Sequence, residues 1–89
     1  MKYIIRFTPA ARSQLRAIDR PTAMRIFAAL TPLGEDPYRD DVDVKKLKGT
    51  GDHYRMRVGD YRVAYRIEDH ELVIEIVRVG HRRDVYRSL

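Results

Sequence analysis

At 89 residues, with no cysteine and three scattered histidines, the chain has room for one domain (1–89) and one small core. That composition excludes a disulfide framework, a thiolate nucleophile and a preformed zinc site. The apolar runs are too short to span a membrane, and MKYIIRF has only a pair of aliphatic residues before a charge, so no membrane segment or secretory signal is expected and the chain reads as cytoplasmic. Lysine and arginine together number 18 against 13 acidic residues, a formal charge of +5, and arginine supplies 14 of the 18. Either a GC-rich genome or a polyanionic partner explains that skew, since arginine's planar fork binds phosphate bidentately.

From Lys2 to Phe7 the alternation of Tyr3, Ile5 and Phe7 against Ile4 and Arg6 predicts a short strand with one face in the core. Thr8-Pro9 is a helix start, with a hydroxyl at the N-cap and a proline where a missing N–H costs nothing. A helix to about Ile18 follows, its apolar stripe made by Ala11, Leu15 and Ile18. Arg12, Arg16 and Arg20 fall on a separate face, either as a solvated surface or as a second set of phosphate contacts. Asp19-Arg20-Pro21 then breaks and restarts the helix. Met24, Phe27, Leu30 and Leu33, with Ala23 and Ile26 beside them, form the face expected to pack on a sheet. Pro32 should end the regular helix near Leu30 or kink it, with Gly34 closing the element.

Glu35 to Lys46 has no sustained period and reads as an acidic loop, able to shield arginines or repel wrong partners. Lys45, Lys46 and Lys48, with Gly49 and Gly51, put positive charge and flexible backbone at the entrance to the next element. That element, HYRMRVGDYRVAY from His53 to Tyr65, reads as two strands joined at Val58-Gly59-Asp60. Alternation sends Arg55 and Arg57, then Arg62, Ala64 and Arg66, to one face, and Tyr54, Met56, Val58, Tyr61, Val63 and Tyr65 to the other. Cross-strand arginines repel unless an anion sits among them, so the hairpin is a candidate phosphate cradle. After a turn at Glu68 to Glu71, Leu72 to Val79 reads as an interior strand. With Leu72, Ile74 and Ile76 toward the helices, Glu75 joins the arginine face, where it would orient Arg62 or Arg66. General-base duty suits Glu75 less well, because flanking guanidinium groups lower a carboxyl pKa. Gly80 ends the strand, and His81 to Arg87 is expected to make a single turn folded back over the sheet.

LKGTGDHYRMRVGDYRVAYRI followed by VRVGHRRDVYR resembles the RelE branch of the RelE/ParE toxins of bacterial type II toxin–antitoxin modules, over essentially the whole chain. The resemblance implies an α+β fold, in which a small four-stranded, antiparallel-dominated sheet carries an N-terminal two-helix hairpin on one face and the basic site on the other. It also implies a metal-independent, cofactor-free endoribonuclease that enters the ribosomal A site and cuts messenger RNA by attack of the ribose 2′-OH on the adjacent phosphorus.

Carried over by motif, the family's paired basic residues fall on Arg55 and Arg57, and its arginine in the GYR segment falls on Arg62. The arginine after the strand-ending glycine falls on Arg82, and the C-terminal stacking tyrosine on Tyr86. Arg83 belongs with Arg12, Arg16, Lys45, Lys46 and Lys48 among the RNA- or ribosome-binding candidates. The paired positions are lysines in the best-known member and arginines here, and an arginine keeps its proton, which leaves the proton acceptor open. His81, beside Arg82, has a pKa suited to that duty or to a plain phosphate contact. His53 and His70 rank behind it. The implied partners are a RelB-like antitoxin, the 70S ribosome with its mRNA, and operator DNA through the toxin–antitoxin complex. Two alternatives stay open: a ParE-like inhibitor of DNA gyrase, and a non-catalytic basic module acting with an antitoxin on operator DNA.

Overall fold

A computed structural model describes residues 2–39, 44–46 and 53–81. Strand β1 (Ile4–Phe7) leads into helices α1 (Pro9–Ala17) and α2 (Arg20–Glu35), followed by β2 (Val44–Lys46), β3 (His53–Val58), β4 (Tyr61–Glu68) and β5 (Val73–His81). The strands form one five-stranded sheet in the order β1-β5-β4-β3-β2. β1 runs parallel to β5, and every other neighbouring pair is antiparallel. The architecture is the expected α+β one, with one strand more than the four predicted. The addition, β2, lies in the stretch read as a loop. Three residues are too few to display a period, and β2 exists through its pairing to the outer edge of β3.

Both helix starts follow from local chemistry. Thr8 caps α1 by accepting the Ala11 N–H at 3.1 Å, and Asp19 caps α2 by accepting the Thr22 N–H at 3.1 Å and the Thr22 hydroxyl at 2.8 Å. These bonds hold the Asp19 carboxyl below the usual carboxylate range, the Thr22 hydroxyl contributing most. The far end of α2 departs from expectation, since the helix continues through Pro32 to Glu35. Its last turn buries Leu33 completely, and the Gly34 carbonyl accepts the Tyr3 N–H at 2.8 Å. Burying a leucine is worth roughly 1.5–3 kcal/mol, comparable to the ~3 kcal/mol cost of an internal proline, so tertiary packing carries the helix past its breaker.

The core lies between the helices and one face of the sheet. Ala11, Leu15, Ile26, Leu30 and Leu33 meet Tyr3, Met56, Val63, Tyr65, Ile67, Ile74, Ile76 and Val79. Of the residues expected on the packing face of α2, Met24 points outward at 57% exposed, and Phe27 is 43% exposed, reaching only the sheet edge, where its ring meets Phe7 with centroids 5.7 Å apart. Ile26 takes the buried position, because the helix docks on the stripe that runs through Ile26, Leu30 and Leu33. Leu72 is likewise not a core strand residue. It sits in the turn before β5 with φ of 55° and 41% of its surface exposed, and its carbonyl accepts the Ile4 N–H.

Candidate nucleic-acid interface

The hairpin of β3 and β4 is closed by Gly59 and Asp60, with Gly59 at φ of +58°, a conformation that a residue without Cβ adopts freely. Its register sets Arg57 opposite Arg62, Arg55 opposite Ala64 and His53 opposite Arg66. Met56 opposite Val63, Tyr54 opposite Tyr65 and Val58 opposite Tyr61 fill the other face. Tyr54 stacks on Tyr65 with ring centroids 5.7 Å apart, so aromatic packing helps lock the register that presents the arginines.

Within that face the arginines differ. Arg57 is exposed and Arg55 half-buried. Arg62 is only 6% exposed, and its Nη1 donates to the carbonyls of Gly59 (3.3 Å) and Tyr61 (3.1 Å). Its fork is thus braced against the turn and held at the hairpin tip, with a directly opposed cation at Arg57. Such an arrangement concentrates positive charge where a phosphodiester could neutralise it.

Glu75 does reach the arginine face, but it serves Arg66 and not Arg62. Arg66 Nη2 donates to Glu75 Oε1 at 3.2 Å and also pairs with Glu68. Arg66 is therefore neutralised. Lys45 lies opposite Arg55 on the same face, whereas Lys46 lies opposite Tyr54 and projects to the other side. Arg12 and Arg16 are exposed on α1, the helix that buries Ala11 and Leu15 against the opposite face of the sheet. His81 is the clearest departure. It registers with Tyr61, and the two rings meet edge to face with centroids 5.9 Å apart, which puts His81 on the side away from Arg55, Arg57 and Arg62. The proton-transfer role expected of it does not fit that position. Lys48, Arg82, Arg83 and Tyr86 lie outside the described residues.

Arg78 is a member of this face that alternation misses. In an unbroken strand it would share the core side with Ile74 and Ile76. A bulge shifts the register between Ala64 and Tyr65, so Arg78 pairs with Ala64 and joins the basic side while Val79 takes over the core position. Among the described residues no cluster of three or more histidine, cysteine or acidic side chains could hold a metal ion.

Residues 5–86 match the family model for the ParE toxin of type II toxin–antitoxin systems. The chain is 37% identical over 89 residues to the toxin RelG of Mycobacterium tuberculosis, covering 98% of this chain and 99% of the relative. Among solved structures it resembles the RelE–RelB complex of Pyrococcus horikoshii, with a TM-score of 0.79 and 33% identity over 92% of this chain and 97% of that one. It also resembles the RelBE2 toxin–antitoxin complex of Mycobacterium tuberculosis, with a TM-score of 0.78 and 31% identity over 92% and 100% of the two chains. The fold is that of a type II toxin. The chain belongs to the RelE/ParE family of toxins of type II toxin–antitoxin systems.

Proposed function

We propose that this toxin is a ribosome-dependent endoribonuclease that cuts messenger RNA in the A site and so stops translation. The observation that carries the proposal is the register that gathers Arg55, Arg57 and Arg62 on one face of the sheet. In the reaction the ribose 2′-oxygen bonds to the adjacent phosphorus and the P–O5′ bond breaks, leaving a 2′,3′-cyclic phosphate and a 5′-OH. The 2′-hydroxyl loses a proton and the departing 5′-oxygen gains one. Arg57 and Arg62 would hold the non-bridging oxygens and neutralise the pentavalent phosphorane, with Arg55 next to them. The braced fork of Arg62 is suited to this, because a charge already fixed in place needs no reorganisation as the transition state forms. Arg82, supplied after β5, would face the leaving oxygen, and Tyr86 would stack on a base to align the 2′-OH. The protein's contribution is then alignment and charge. None of its arginines is a base, and His81 faces the other way.

Ribosomes programmed with one A-site codon, read by primer extension, test the proposal. Arg62→Ala or Arg82→Ala should lower single-turnover cleavage by roughly 10² or more, the usual cost of removing one preorganised charge donor. Unaltered cleavage by either variant would refute its assignment. The match to the ParE family model keeps a second reading in play, inhibition of DNA gyrase. Loss of supercoiling with no cut transcript would select it.

The partner we propose is a RelB-like antitoxin, through which the toxin would reach operator DNA. The two solved relatives described above are toxin–antitoxin complexes, and an apolar cleft of about 410 Å³ beside β1 and α2, lined by Ile4, Phe7, Phe27 and Leu30 among others, offers a surface for an amphipathic segment to cover. Phe27→Asp should then weaken co-purification with the antitoxin while leaving the melting temperature near that of the parent.

A further inference from the structure

The bulge in β5 is built into the fold from both sides. Val77 is the extra residue, falling between the Ala64–Arg78 and Tyr65–Ile76 pairs. Its carbonyl accepts the Thr8 hydroxyl at 3.0 Å, the same hydroxyl that caps α1. Two residues on, the Val79 N–H donates to Gln14 Oε1 at 2.7 Å. β1 ends opposite Ile76, so Thr8 and Gln14 take over the edge of β5 where its strand neighbour stops. Arg78 is thereby turned to the basic face and kept there.

On that face Lys45, Arg55, Ala64 and Arg78 fall on one register line across four strands, and Arg57, Arg62 and Gly80 form the next. The two lines are about 7 Å apart along the strands, close to the separation of successive phosphates in an extended single strand. Ala64 leaves the middle of its line without a long side chain. Arg55 and Arg78 flank it about 10 Å apart at the backbone, and because Ala64 itself has no exposed surface the tetrahedral anion their forks could share lies farther out, at the rim of the face. Arg78 also differs from Arg66 in having no carboxylate partner among the described residues, so its charge is available.

We propose that Arg78, with Lys45 and Arg55, forms a second phosphate site that grips the phosphodiester neighbouring the one cut, an inference that rests on the ribonuclease function proposed above. Its ligand is the backbone of single-stranded RNA, recognised by charge and spacing and not by base. The site would register the message so that the scissile phosphate meets Arg57 and Arg62.

Single-turnover cleavage of programmed ribosomes tests this, comparing the parent, Arg78→Ala, Arg78→Lys and Arg25→Ala, which removes the same charge from α2. Messages carry either a normal linkage or one neutral methylphosphonate at the phosphate next to the cut. Arg78→Ala should raise the half-saturating toxin concentration about 10-fold and reduce the steepness of its salt dependence by about one, while Arg78→Lys recovers part of the loss. The methylphosphonate should weaken the parent to a similar degree and add little to Arg78→Ala. Half-saturation and salt slope in Arg78→Ala matching those in Arg25→Ala would overturn the proposal. So would a methylphosphonate without effect on the parent, a measurement that needs no protein variant. A parent that cuts no message overturns the ribonuclease function itself, a result distinct from either.

Discussion

On the helix-facing side of the sheet, Met56, Val63, Tyr65, Ile74, Ile76 and Val79 are buried against Ile26, Leu30 and Leu33, whereas the opposite side of the same strands carries Lys45, Arg55, Arg57, Arg62 and Arg78. The first side stabilises the fold by removing apolar surface from water. The second works against it, since Arg57 and Arg62 oppose each other directly across the hairpin. One face therefore provides the stability that lets the other concentrate like charges. On that same basic side Arg66 is paired with Glu75 and Glu68.

The sharpest way to break the contrast is to cut into the apolar side. Ile76→Ala, at a fully buried position, should cost about 2–5 kcal/mol in urea unfolding. Gln14→Ala should cost about 1–3 kcal/mol, because it strands the Val79 N–H at a position with almost no solvent access. That variant links the two faces. It should also weaken the salt-dependent hold on RNA by loosening the segment that orients Arg78, so a loss of stability without any change in RNA affinity would separate them again.

Smaller effects come from titration. Hydrogen bonds from Tyr38 (2.7 Å) and Tyr3 (2.8 Å) hold the Asp69 carboxyl below its usual value, Tyr38 contributing most. A depressed carboxyl contributes stability that is present above its unfolded value of 3.8 and lost as pH falls through the folded one. Asp69→Asn should flatten that acid limb in a pH series of melting temperatures. Tyr65 behaves in the opposite sense. Burial raises its phenol above the ordinary 10.0, so its share of stability is intact below that value and lost as the pH climbs through the folded one. The Tyr65 hydroxyl has no hydrogen-bond partner among the described residues, and Tyr65→Phe should therefore be neutral or slightly stabilising at pH 7 while flattening the alkaline limb. Smallest of all, Arg57→Gln should raise stability by roughly 0.2–0.5 kcal/mol through relief of cross-strand repulsion. Added salt should shrink that gain while cleavage stays impaired.

Local pattern was enough wherever a period ran unbroken or a cap stood beside its helix. The alternation of β3 and β4 assigned Arg55, Arg57 and Arg62 to one face, because successive side chains of a strand must point to opposite sides. Thr8 and Asp19 marked both helix starts, because a cap acts on N–H groups only two or three residues away. The hairpin stretch and the motif following it pointed to the toxin family that the comparisons bear out. The tertiary structure decided whatever depended on partners distant in the chain. β2 forms only along the edge of β3, α2 passes Pro32 because Leu33 and Gly34 have places waiting for them, and Met24 turns outward while Phe27 is left at the rim because α2 docks along another stripe. The bulge in β5 belongs with these. Thr8 and Gln14, more than sixty residues away, take the backbone groups that the irregularity exposes, and their hold reverses the alternation so that Arg78 joins the arginines while His81 leaves them.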